Sequence, residues 1–239
     1  FITLPPPETQ LTEELVFQED ATAIAAMTGI YNKMGQSQSW ASGGGSSVTL
    51  MEAVYADEMV MFVSPNSTGS LPSFYQNNVL PVDGFVSGAW GSCYNLIYSA
   101  NRIIEGLQKS TGVSTAVKGQ LTGEALFVRA FCHFYLVNLF GDVPYIITTD
   151  YKANSTVTRT PVAEVYAGII KDLTAAQGLL PENYVSAYRV RPNKWAAIAL
   201  LARVHLYTGQ WQAAETEASA VIASSLYALP AHIDSVFLK

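Results

Sequence analysis

Leu121-Thr122-Gly123-Glu124-Ala125-Leu126-Phe127-Val128-Arg129-Ala130-Phe131-Cys132-His133-Phe134-Tyr135-Leu136-Val137-Asn138-Leu139-Phe140 runs straight into Gly141-Asp142-Val143-Pro144. Leu121, Ala125, Val128, Cys132, Tyr135 and Leu139 recur at three- and four-residue spacing and share one helical face, while Phe127, Phe131 and Phe134 fill another. A helix that is apolar nearly all round has no face to give to water, so its expected place is the centre of the fold. Gly141 is expected to end it in a left-handed conformation, and Pro144 keeps it from restarting. Arg129 and His133 lie one turn apart inside this apolar helix. They read as parts of a buried polar network rather than an acid–base pair, because arginine does not titrate in a useful range.

Toward the N-terminus, Cys93, Ile97, Ala100, Ile104 and Leu107 form a helical stripe within Gly88–Ser110. Asn101 lies beside it and reads as a satisfied structural hydrogen-bonder. Ser64 to Gly88 holds three prolines, three glycines, Phe74, Tyr75 and Phe85, with no sustained period. A loop of that length inside a compact domain is usually functional. Before it, a helix is predicted over Val48–Val63, then a loop over Gly35–Ser47 with Trp40 and Gly43-Gly44-Gly45, and a helix at about residues 19–35 carrying Ile24, Met27, Tyr31 and Met34. Thr12 reads as the cap of a short preceding helix and Pro5 to Pro7 as a stiff arm.

Toward the C-terminus, Thr160-Pro161 is expected to open a helix bearing Val162, Val165, Ile169, Leu173, Ala176 and Leu180, with the Thr160 hydroxyl as cap. Asn193 caps the next, running through Trp195, Ala199, Ala202 and Leu206 to Gly209, and a last helix starts near Trp211. These two look like a tetratricopeptide hairpin, with Ala199, Ala202, Ala214 and Ala218 allowing close approach. Trp211 is expected to anchor the angle with its ring buried; an exposed ring would make it a ligand platform. Leu121–Phe140 and Pro161–Leu180 fit the same unit with a long insertion. The fold class is therefore mainly α, built from tetratricopeptide-like helical hairpins with long inserted loops.

Composition narrows the function. Of 239 residues, 49% are apolar and only 13% charged, so the surface is largely neutral and polar, suited to uncharged hydrogen-bonding ligands. A net charge of −6 with no Lys/Arg run argues against nucleic acid. No apolar stretch reaches the length of a membrane-spanning helix. Cys93 and Cys132 both fall in helical patterns and read as buried small hydrophobes or as a disulfide pair.

Catalytic signatures are missing from the sequence. It has no nucleophile elbow, P-loop or dinucleotide fingerprint, and His133, His205 and His232 show no metal-ligand spacing. Neighbours on a helix point about a quarter-turn apart, so Asp57-Glu58 cannot flank one substrate and reads as capping or a salt bridge. No enzyme, cofactor or metal is expected.

Four stretches, in order, resemble proteins of the SusD/RagB family. They are Thr9-Gln10-Leu11-Thr12 to Tyr31-Asn32; Asp57-Glu58, then Phe85, Trp90, Tyr94 and Asn101-Arg102-Ile103-Ile104-Glu105; Glu124 to Phe131 through Gly141-Asp142-Val143-Pro144; and Val165-Tyr166 to Pro181, Arg191, Lys194 and Leu200-Leu201-Ala202-Arg203 to Gly209-Gln210-Trp211. The resemblance implies a glycan-binding lipoprotein on the outer face of the cell outer membrane. It would capture oligosaccharides, or in some members peptides, and hand them to a SusC-like TonB-dependent transporter. The lipidated N-terminal cysteine of that family is absent from this chain, and the chain is shorter than family members. It is expected to be one helical domain, 1–239, forming the N-terminal part of a longer protein, with residues 64–88 a recognition loop.

The resemblance makes the quoted motifs mostly scaffold and puts ligand contacts in variable loops. Phe74, Tyr75, Gln76, Asn77 and Asn78 are the expected ligand-binding residues, since aromatic faces stack on sugars and amides bond hydroxyls. The competing readings are a tetratricopeptide-type scaffold for a peptide or protein, which calls for a charged concave groove, and a glycan-processing enzyme, which calls for converging carboxylates.

Overall fold

The computed structural model describes residues 13–37, 39–62, 68–232 and 234. The proline arm and the Thr12 cap lie outside the described residues. Among these described residues ten helices follow in order: α1 (Glu13–Val16), α2 (Asp20–Gly35), α3 (Val48–Tyr55), α4 (Ser70–Tyr75), α5 (Gly84–Lys109), α6 (Thr115–Phe140), α7 (Tyr151–Asn154), α8 (Val162–Leu179), α9 (Lys194–Tyr207) and α10 (Trp211–Ala223). The described residues contain no strand, only an isolated antiparallel bridge between Val143 and Thr160.

As its composition requires, α6 is central. It packs on α5 and α8, and α8 on α9, which pairs with α10. Leu121, Ala125, Val128 and Cys132 are fully buried. Gly141 ends α6 at φ +71°, the left-handed region that favours glycine. The next residues join three elements. The Asp142 carboxylate accepts from the Val162 amide at 3.0 Å, Val143 O accepts from Thr160 N at 3.0 Å, and Pro144 O accepts from the Tyr94 hydroxyl at 2.8 Å. The Thr160 side chain therefore does not cap α8. Asp142, twenty residues earlier, supplies that carboxylate at the positive end of the helix.

Two polar networks cross the core through α6. The Arg129 guanidinium binds Asp172 on α8 through two bonds of 2.7 Å and donates to Asn101 on α5 at 2.8 Å. Asn101 in turn reaches the carbonyls of Ile146 and Thr148 at 3.4 Å. His133 Nε2 accepts from Ile146 N at 3.3 Å, so its proton sits on Nδ1 and is donated to Arg129 O at 3.0 Å. Burial drives its pKa down to about 3, so the imidazole is neutral. The second network surrounds Glu124, which is wholly buried and receives Tyr31, Gln120 and a fork from Arg191 at 2.7–3.0 Å.

Several expectations are corrected. Helix α3 stops at Tyr55, with Asp57 at φ +60° beyond its end, rather than running to Val63, so Asp57-Glu58 are not helix neighbours. The face that α9 buries is Ala197, Ile198, Leu201 and Val204; Ala199 is exposed, as is Ala218 on α10, where Ala214 alone is buried. Trp211, the first residue of α10, is 67% exposed and is not buried in the angle of the hairpin. Cys93 and Cys132 are buried free thiols next to one another, and burial raises the Cys132 pKa. Both bury as small hydrophobes, without a disulfide.

Candidate functional site

The segment read as an aperiodic loop contains a helix. Gly69, at φ +117°, precedes α4, whose Pro72 lies in the first turn, where a missing N–H costs nothing. The Ser70 hydroxyl accepts from the Phe85 amide at 3.2 Å and Asp83 caps α5 through the same amide at 2.8 Å, so α4 is held against the start of α5. Met51 and Val54 of α3 and Phe74 of α4 form a small hydrophobic cluster separate from the main core.

Phe74 is 6% exposed, its ring edge-on to Tyr55 at 5.9 Å and to Phe85 at 5.3 Å. It seals the cluster and does not offer an open face for stacking, which corrects that expected role. Tyr75 is half-buried at the rim. Gln76, Asn77 and Asn78 are exposed, and none of their side chains bonds another described residue. Asn77, at φ +53°, turns the chain so that the three amides project from one tip.

Beside this tip lies a depression of about 420 Å³ lined by Glu52, Tyr55, Phe74, Leu80, Phe85 and Phe140. Its walls are mostly apolar. Tyr55 is 45% and Leu80 57% exposed. Burial raises the pKa of Glu52, the one carboxyl in the lining. One carboxyl without a partner across the site gives hydrogen bonding but not the paired acid and base of glycoside hydrolysis. Sequence reasoning missed Tyr55, Glu52 and Leu80; the first two lay inside the helix predicted over Val48–Val63. A larger depression, about 850 Å³, opens near Glu105. That carboxylate is already occupied by the Thr148 and Thr149 hydroxyls and the Thr149 amide.

Among the described residues no three His, Cys, Asp or Glu side chains are grouped to hold a metal, and no helix is long and apolar enough to cross a membrane. The class of protein is thus an all-helical scaffold of stacked hairpins with an aromatic and amide tip at one end.

Comparison with known proteins agrees. A family model described as SusD-like, starch-binding associating with outer membrane, matches residues 11–206, and the chain belongs to that family. It is 34% identical over 215 residues to SusD-like protein P2 of Formosa agariphila, covering 89% of this chain and 41% of that protein. It is 28% identical to a SusD-like protein of Bacteroides ovatus, covering 86% and 36%. The chain therefore spans about two fifths of the length of these relatives. Among solved structures, a laminarin-binding SusD-like protein superposes with a TM-score of 0.76 at 26% identity, over 84% of this chain and 43% of that one. A SusD-like carbohydrate-binding protein of Bacteroides vulgatus gives 0.71 at 24% identity over 90% and 47%, which shows the shared fold.

Proposed function

We propose that this chain belongs to a cell-surface glycan-binding lipoprotein that captures oligosaccharides and delivers them to a SusC-like TonB-dependent transporter, with no catalytic step. The observation that carries the reading is the tip itself. Tyr75 presents a partly open ring, three unpaired amides project beside it, and an apolar depression lies alongside. Sugars offer the matching surfaces, C–H faces for rings and hydroxyls for amides. The family's association with the outer membrane and the laminarin-binding structural relative support it. An N-terminal lipid anchor and the transporter partnership follow from the family resemblance.

The test is calorimetry with laminarin and starch oligosaccharides, using circular dichroism to verify folding. Tyr75→Ala should weaken binding several-fold, the loss expected when a stacking contact of about 0.5–1.5 kcal/mol goes. Gln76→Ala and Asn78→Ala should change the preference among sugars, because a hydroxyl left without its partner is penalised on desolvation. Unchanged affinity and selectivity in all three variants would remove the site from this tip.

A further inference from the structure

We infer that the segment between α8 and α9 carries a second carbohydrate subsite, specific for an anionic group, a carboxylate or sulfate ester, on a polysaccharide. The inference rests on the glycan-binding reading above but on different residues. Arg189 is exposed on this segment, its guanidinium carbon 5.6 Å from the ring centroids of both Tyr184 and Tyr227. The bracket is anchored in the scaffold. The Tyr184 and Tyr227 hydroxyls are 2.8 Å apart, and the Asn193 amide donates to Tyr227 at 3.1 Å. Asn193 is 1% exposed and caps α9.

The neighbouring cations are already engaged, Arg191 with Glu124 and Lys194 with Glu182. Arg189 has no carboxylate partner and no acceptor among the described residues. A planar guanidinium lying over two rings keeps its edge N–H groups available, and their fork matches a carboxylate or sulfate. In a chain of net charge −6 an arginine held in this way is set apart from general solubility. Next to it, Tyr188 is 76% exposed and supplies the open ring that a sugar face needs. Anionic recognition and stacking on one segment together select an acidic polysaccharide over an isolated ion.

The test is affinity electrophoresis and calorimetry at low salt with polygalacturonate, dextran sulfate and the neutral glucan laminarin. The acidic chain is repelled by polyanions, so the non-specific background is low. The folded wild type should bind one or both polyanions, the carboxylated and sulfated arms showing which group is taken, and binding should vanish in high salt. Arg189→Gln should reduce polyanion affinity about tenfold or more, and Arg189→Lys should recover only part, since it keeps charge but loses the fork. Tyr184→Phe keeps the ring but releases the hydroxyl tie, and should fall in between. Laminarin binding should be unchanged in all three, so failure of the neutral site and of this one are read separately. Equal polyanion binding by wild type and Arg189→Gln, no polyanion binding by wild type, or preference for an acidic peptide would overturn the inference.

Discussion

Arg129 on α6 and Asp172 on α8 meet in a two-bond fork, each arm 2.7 Å, inside a core that leaves both side chains under a tenth exposed. Asn101 completes the arginine's coordination from α5. Three helices are thereby set in register by one guanidinium. Removing one partner leaves a buried charge uncompensated. Asp172→Asn should therefore cost about 3–5 kcal/mol in urea unfolding. Adding Arg129→Met should return part of that loss, because the stranded charge goes too. Additive losses in the double variant would contradict the coupling.

Stability should also depend on His133. Its folded pKa, about 3, lies below the ordinary value of 6.5, so between these values the unfolded chain binds a proton that the folded chain refuses. The contribution is fully present above pH 6.5 and is lost as pH falls toward 3, with a slope of at most about 1.4 kcal/mol per pH unit. Thermal unfolding from pH 7 to 4 should show this slope. His133→Gln, weaker at neutral pH, should show a flatter one.

Gly141 supplies a backbone conformation rather than space, since a Cβ there would meet nothing within 4 Å. Gly141→Val should still destabilise by about 1 kcal/mol or more through φ alone. An unchanged melting temperature would show that α6 ends by another means.

Two tryptophans should behave in opposite ways. Trp40, at 2% exposure, stacks on Phe131 at 5.5 Å and meets Tyr135 edge-on at 5.2 Å. Trp40→Ala should cost about 3–5 kcal/mol. Trp211→Ala, at the exposed start of α10, should change stability by no more than about 0.5 kcal/mol. Equal losses in denaturant titrations would mean that the exposed ring is packed in solution.

Legibility in the sequence followed periodicity. Helix α6 was readable because its apolar residues surround it, and the stripe of α8 because Val165, Ile169, Leu173 and Ala176 keep strict spacing. On α9 the same reading failed. Trp195 to Ala202 is apolar at every position, so no period distinguishes Ala197, which is buried, from Ala199, which is not. Arg129 and His133 were legible as a network, but not the partner Asp172, 43 residues away. At the candidate site Tyr75 is half-buried and the three amides are exposed, which leaves them available for the proposed ligand contacts. The burial of Phe74 was not legible, because the six-residue α4 is too short for its inward face to be read from pattern.

The separate cluster of Met51, Val54 and Phe74 gives the tip its own ballast. Because α3 and α4 pack on that knot and join the main core at Val48 and Phe85, their amides can exchange through a local opening that leaves the central helices protected. The residues between Gln76 and Val82 can then be rewritten by mutation at a cost limited to the stability of the knot. New sugar preferences can arise at the tip while the polar forks of Glu124 and Arg129 go on holding an unaltered frame.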